Sequence, residues 1–138
     1  MSQENVEIVR RGYELLATAR DESARRAIYA EFVHPDAEFV PPAAYPDTEQ
    51  SYRGVEEVLR FQRQLDAVWD HYRVEAERIF DAGDQVVVFV RVSGTAKQSG
   101  APVAISTAHL LTVKDGRMAR MEIFLDRREA LKAVGLEE

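Results

Sequence analysis

The chain has no cysteine among its 138 residues, which excludes a disulfide framework, a thiolate nucleophile and Cys-ligated zinc. Positive charge is scarce: 18 Lys and Arg stand against 24 Asp and Glu, for a net charge of −6. The basic residues are also dispersed. Arg10-Arg11, Arg25-Arg26 and Arg127-Arg128 fall on helical stretches with acids nearby and read as solvated faces. Nucleic acid, which needs a concentrated positive face, is therefore not an expected partner. No run of about 18 apolar residues occurs, and Met1 to Glu4 lack the apolar core of a secretory signal, so no membrane partner and a cytoplasmic location are expected. The three histidines, His34, His71 and His109, form no HExxH or i, i+4 pair, and GxSxG, GxGxxG and P-loop strings are missing. Neither a metal nor a cofactor is expected.

What is present is the composition of an ordinary globular chain, 46% hydrophobic and 30% charged, of a length that suits a single domain over residues 1–138. Val6, Val9, Tyr13, Leu16 and Ala17 recur at steps of three and four, which predicts a first helix over 3–18. Asp21 can cap a second, shorter helix with Ala24, Ala27, Ile28 and Phe32 on its buried stripe, ended by His34-Pro35, and 36–40 reads as a short strand. Pro41, Pro42 and Pro46 mark 41–53 as a long loop. Gly54 opens a third helix over roughly 55–69, with Val58, Leu59, Leu65, Val68 and Trp69 on one stripe. After Asp70 the period changes to two. Strands are expected around Tyr72–Glu77, over Val86–Val92, Val103–Val113 and Arg117–Leu125, and the β-branched run at Val86–Val92 suits a strand covered on both faces. A short helix over Arg127–Val134 closes on Gly135. Three helices followed by a four-strand antiparallel meander make an α+β domain whose curved sheet packs over helices. If the wide end of such a cone is left open, it is a ligand pocket.

The strings "NVEIVRRGYELL", "HPDAEF", "YRGVEEVLRF", "DAGDQVVVFVRVSGTA" and "AHLLTVKDGRMARMEIFLDRREALKAVGL", in this order and spacing, resemble the nuclear transport factor 2-like superfamily and within it the polyketide cyclase (SnoaL)-like proteins. The resemblance spans essentially the whole chain and implies the cone-shaped fold of that superfamily. It does not transmit one activity, because the superfamily contains isomerases, cyclases, dehydratases, epoxide hydrolases and non-catalytic adaptors. Steroid isomerase-type members imply a tyrosine donor on the first helix, matched by Tyr13. They also imply a carboxylate base, which would fall near Pro41, and an acid in the penultimate strand, which would fall on Ala108. Two of those three groups are missing, so that mechanism is disfavoured. The Arg and paired Asp groups of epoxide-hydrolase relatives have no secure match.

Tyr13 has two readings: plain core packing, or a phenol contacting a ligand. His109 also has two. The resemblance turns Ala108 to the cavity and His109 away from it, whereas periodicity groups His109 with Val103, Ile105, Thr107 and Leu111 as the core-facing set. Tyr13 and His109 are the catalytic candidates. Phe61, Leu65, Trp69, Met121 and Ile123 are candidate pocket walls, and Tyr45 and Tyr52 could close the mouth from the loop. Arg91 is expected to pair with Glu122 on a structural or dimer-forming face. The leading functional expectation is a pocket for a small, mainly apolar molecule, with cofactor-independent cyclase, isomerase or hydrolase chemistry on a carbonyl or epoxide. The other is a non-catalytic binding or accessory module that forms a homodimer through the sheet face.

Overall fold

In the computed structural model, residues 2–42 and 51–136 are described. Helix α1 spans Ser2–Thr18 and α2 spans Glu22–Phe32, the latter capped by the Asp21 carboxylate, which accepts from the Ala24 N–H at 2.8 Å. Strand β1 is Val33–Val40, β2 is Tyr52–Arg53 and α3 is Gly54–Val68. Then come β3 (Trp69–Ala82), β4 (Gln85–Ala96), β5 (Pro102–Lys114), β6 (Arg117–Phe124) and α4 (Arg127–Ala133). The six strands form one sheet in the order β2-β1-β6-β5-β4-β3. The expected meander is its β3–β6 part. The sheet as a whole is mixed, because β1 lies parallel to β6.

Several boundaries move for identifiable reasons. Helix α2 stops at Phe32, and Val33, His34 and Pro35 already belong to β1. Proline has no N–H to give a ladder, and it is tolerated here because the β1–β6 register shifts between Val33 and Glu38. Helix α3 ends at Val68, so Trp69 opens β3 opposite Ala96 and does not extend the helical stripe. The segment expected to be loop contains β2, whose Tyr52 pairs with Phe39. Register shifts in β3, between Asp70 and Arg73 and again between Ala76 and Arg78, mark bulges that bend the strand. At the first bulge the backbone of Asp70 passes so near Gly94 that a Cβ there would lie 3.2 Å from the Asp70 carbonyl oxygen.

Alternation in β4 and β5 divides the sheet into two faces. Val86, Val88, Val90, Leu111 and Val113 join the core beneath α1, α2 and α3, together with Phe39, Leu59 and Phe61. Val87, Ala108 and Leu110 point the other way, under Ala130 and Leu131 of α4. The unbroken valine run follows from this, since a strand roofed on both sides needs apolar groups at every position. Complete burial of one valine contributes about 1.5–3 kcal/mol, and Val86, Val87, Val88 and Val90 are all at 0% exposure. Arg127 ties α4 to the sheet by donating to the Thr107 and Val90 carbonyls and stacking on Phe89.

The expected Arg91–Glu122 pair does not form. Arg91 lies opposite Ser106 on β5, whereas Glu122 lies opposite Leu110. Four residues of strand separate the two rungs, roughly 13 Å. Glu122 pairs with Arg120 at 3.1 Å, and Arg120 also holds Glu38 at 3.0 Å.

Candidate functional site

Two elements far apart in the chain meet over a cavity. The apolar stripe of α1 turns Tyr13 inward, and strand alternation turns His109 of β5 to the same side. The phenol oxygen of Tyr13 lies 2.5 Å from His109 Nδ1, with the rings 5.9 Å apart and tilted by 30°. His109 is 7% exposed. Periodicity was therefore the correct guide to this strand. Ala108, which the resemblance turned toward the cavity, is packed under α4, and the residue that faces the cavity is its neighbour His109.

Burial decides the charge of both groups. It pushes the imidazole pKa down to about 4, so His109 is neutral at pH 7. It pushes the Tyr13 phenol well above its usual value, with nearby Tyr29 adding to the effect. One neutral phenol and one neutral imidazole thus share a short hydrogen bond. If Tyr13 donates to Nδ1, then Nε2 carries the second proton of the pair. If Nδ1 donates, the Tyr13 O–H is free to point elsewhere and Nε2 is an acceptor.

The cavity they line has a volume of about 190 Å³. Phe61, Leu65, Met121 and Ile123 are on its wall, as are Phe39 and Tyr72. Its mouth is marked by exposed residues of α1 and β3, including Ala17, Arg73 and Glu75. Glu75 is the single carboxylate among the described lining residues. A smaller, almost wholly apolar lobe of about 80 Å³ shares Tyr13, Leu16, Tyr29, Phe39 and Met121 with it and extends beneath α1 and α2.

Trp69 and Tyr52 are not on this wall. Trp69 sits at the start of β3, and Tyr72 further along takes the wall position. Tyr52 is at 0% exposure, packed against Phe39 and Phe61 and donating to Gln64 at 2.8 Å, so it is core and not a closing flap. Tyr45 lies outside the described residues. Sequence reasoning missed the polar end of the cavity, where Arg25, Tyr29 and Gln62 converge. Arg25 reads as solvated beside Arg26, and only Arg26 is: it pairs with Glu22 and Glu56 on the surface. The missed signal was spacing, since Arg25 and Tyr29 lie four apart on α2, and so do Gln62 and Asp66 on α3. Among the described residues no group of three or more His, Asp or Glu could hold a metal ion. No described helix is long and apolar enough to cross a membrane.

The SnoaL-like domain profile matches residues 9–121. Solved structures align over nearly the whole chain. A nuclear transport factor 2-like protein from Burkholderia thailandensis is 27% identical, with 95% of this chain and 96% of that chain covered and a TM-score of 0.75. TerC, co-crystallised with polyporic acid, is 24% identical over 96% and 98% of the two chains, with a TM-score of 0.76. A protein described as a SnoaL-like polyketide cyclase from Jannaschia sp. is 24% identical over 99% and 95%, with a TM-score of 0.75. No curated protein matches the chain.

Proposed function

Given that the chain belongs to the SnoaL-like domain family, we propose that it binds a small, mainly apolar carbonyl compound in the cavity and moves a proton on it without a cofactor, in the cytoplasm. The reading is carried by one observation: a 2.5 Å Tyr13–His109 pair, both members uncharged at neutral pH, on the wall of an apolar cavity. With Nδ1 protonated and donating to the Tyr13 oxygen, the phenol proton is free for a ligand carbonyl and Nε2 is a free base. Nε2 takes a proton from the carbon next to that carbonyl, and the C–H electron pair becomes the enolate double bond. The carbonyl π pair moves to the oxygen held by Tyr13, and the imidazolium returns its proton to the same or a conjugated carbon. An imidazolium is costly in this dry site, but it forms beside the enolate and is paired as it appears. That balance suits isomerisation; in a closure of cyclase type the enolate carbon would instead bond to a second carbonyl carbon of the same molecule, whose π pair moves to its oxygen and takes the imidazolium proton. Co-crystallisation of TerC with polyporic acid supports a small-molecule reading of the fold.

The test is exchange of α-hydrogens for deuterium in a panel of hydrophobic cyclic ketones, followed by NMR. His109→Ala should slow exchange by about 10²–10⁴, and Tyr13→Phe should slow it while leaving ketone binding in place. Unchanged exchange in both variants would remove the assignment.

A second reading, a non-catalytic homodimeric accessory module, is favoured by the part of the outer sheet face beyond α4. There Arg91, Ala104 and Ser106 are exposed. Light scattering at micromolar concentration tests it, and a monomer would count against that face as an interface.

A further inference from the structure

We propose that the apolar lobe beneath α1 and α2 is the tail subsite of this cavity, that the ligand is a one-ring carbonyl compound bearing an alkyl chain of about three carbons, and that Gly12 sets the length of that chain. The proposal rests on the functional reading above only in taking the cavity to be a ligand site.

Gly12 is the residue that calls for an explanation. It lies in the interior of α1, where glycine is less favourable than alanine because it gives up more backbone freedom on folding. The backbone does not require it, since its φ is not positive. Packing does not require it either. A Cβ at this position would meet the Phe32 ring at 3.8 Å, an ordinary contact, and nothing else within 4 Å beyond its chain neighbours and the backbone of its own helix. Yet Gly12 is buried. A side chain missing from a buried position with room around it leaves a void, and that void is the lobe, which Gly12 and Phe32 both line. Helical spacing puts Val9, Gly12, Tyr13 and Leu16 on one face of α1, and all four line the lobe.

Walls and size say what fills it. No lining residue of the lobe is charged, and the hydroxyls of Tyr13 and Tyr29 are already engaged with His109 and Gln62. A polar substituent would lose its water there without gaining a partner, whereas a hydrocarbon would not. An apolar void of about 150 Å³ takes benzene, on the order of 25 Å³ for each carbon. On that scale the main cavity of about 190 Å³ holds a ring and its carbonyl oxygen, and the lobe of about 80 Å³ holds about three carbons. Tyr13 and Met121 line both spaces, and His109 lines only the larger. A carbonyl held at the Tyr13–His109 pair puts the ring in the larger space. The smaller one lies beside it across Met121, an unbranched and adaptable side chain.

NMR titration with cyclohexanones bearing a methyl, propyl or hexyl group next to the carbonyl tests this. Each methylene moved from water into the lobe strengthens binding about fourfold. The propyl ketone should therefore bind at least tenfold more tightly than the methyl ketone, and the hexyl ketone no more tightly than the propyl. Gly12→Ala should raise the thermal midpoint and cut the advantage of propyl over methyl about fourfold. Gly12→Val should abolish that advantage, and both variants should bind the methyl ketone as the unaltered protein does. A loss confined to the longer chain, accompanied by a gain in stability, is a result that a purely structural glycine does not give. If Gly12→Val does not fold, Gly12→Ala decides. Equal binding of the methyl and propyl ketones, tighter binding of the hexyl ketone, or a propyl advantage untouched by substitution of Gly12 would overturn the proposal. Toluene and propylbenzene, which have no carbonyl, should show the same preference for propyl. Loss of the Tyr13–His109 chemistry would leave that preference standing, and its absence would leave the deuterium-exchange result untouched.

Discussion

Acidification should unfold this protein partly through one buried ring. His109 is 7% exposed, its polar contact is a neutral phenol at 2.5 Å, and burial lowers its pKa from 6.5 to about 4. In the unfolded chain the imidazole titrates near 6.5. Between those two values the unfolded state binds the proton and the folded state does not, so stability rises with pH across the window. The contribution is fully present above about 6.5 and is lost as pH falls toward about 4. At about 1.4 kcal/mol per pH unit the whole window is worth on the order of 3 kcal/mol, a substantial part of the stability of a domain of this size. Surface carboxylates act in the same direction at lower pH. Glu22 is held down by its hydrogen bond to Arg63, Glu56 by Arg26 and Asp126 by the Arg128 N–H. Comparison with His109→Gln, which can still donate to or accept from Tyr13, cancels those groups. Urea unfolding at pH of about 7, 5.5 and 4.5 should show the native protein losing about 2–3 kcal/mol more than His109→Gln over that range. Parallel losses in the two proteins would refute the claim that this imidazole is dry and unpaired by charge.

Two further substitutions follow from the same structure. Thr107 is 1% exposed and its hydroxyl is buried without a hydrogen-bond partner among the described residues, so Thr107→Val should raise stability by about 1 kcal/mol, read as a higher denaturant midpoint with an unchanged slope. Gly12 sits inside α1, where an added Cβ would meet the Phe32 ring at an ordinary 3.8 Å; Gly12→Ala should stabilise the helix by about 0.5–1 kcal/mol while narrowing the apolar lobe, and a fall in the thermal midpoint would show that the space is not there.

How far the sequence was legible depended on how local the determining interaction is. Helices α1 and α3 and the long strands could be read because their apolar periods are set within one element. Tyr52 could not, because a two-residue strand is too short to show a period and its role comes from Phe39 and Phe61. The parallel pairing of β1 with β6 joins residues about 80 apart in the chain, a partnership that no local pattern encodes. Arg25 was misread because its neighbour Arg26 is solvated, and two adjacent helical residues do not share a face. His109 is the instructive case. Counting motifs back from Gly116 put the cavity at Ala108, whereas the bulk of alternate side chains put it at His109, and the bulk was right. Side-chain volume answers to packing at each position, while a count carries every insertion and bulge between its anchor and its target. A register shift between Thr112 and Val113 lies on that path.

The chemistry of the site therefore hangs on the register of β5. A slip of one residue would turn His109 outward beneath α4 and bring Ala108 or Leu110 to the cavity, leaving Tyr13 with no imidazole to meet. Two features hold the strand in place. Against β4 its pairing runs without interruption from Gln85↔Thr112 to Thr95↔Pro102, and the slipped arrangement would swap the buried sets on both faces at once. Against β6 it is joined by a two-residue turn, Asp115-Gly116, with φ of 53° and 76°. Positive φ at both positions is the pattern of a type I′ turn, whose hand matches the twist of the strands and sets the Lys114↔Arg117 and Val113↔Met118 rungs. Past those rungs the register shifts between Thr112 and Val113, so the offset at the His109↔Ile123 rung is set by the turn and the bulge together. The placement of His109 beside Tyr13 is thus a consequence of the whole ladder around β5, uninterrupted on its β4 side and bulged on its β6 side.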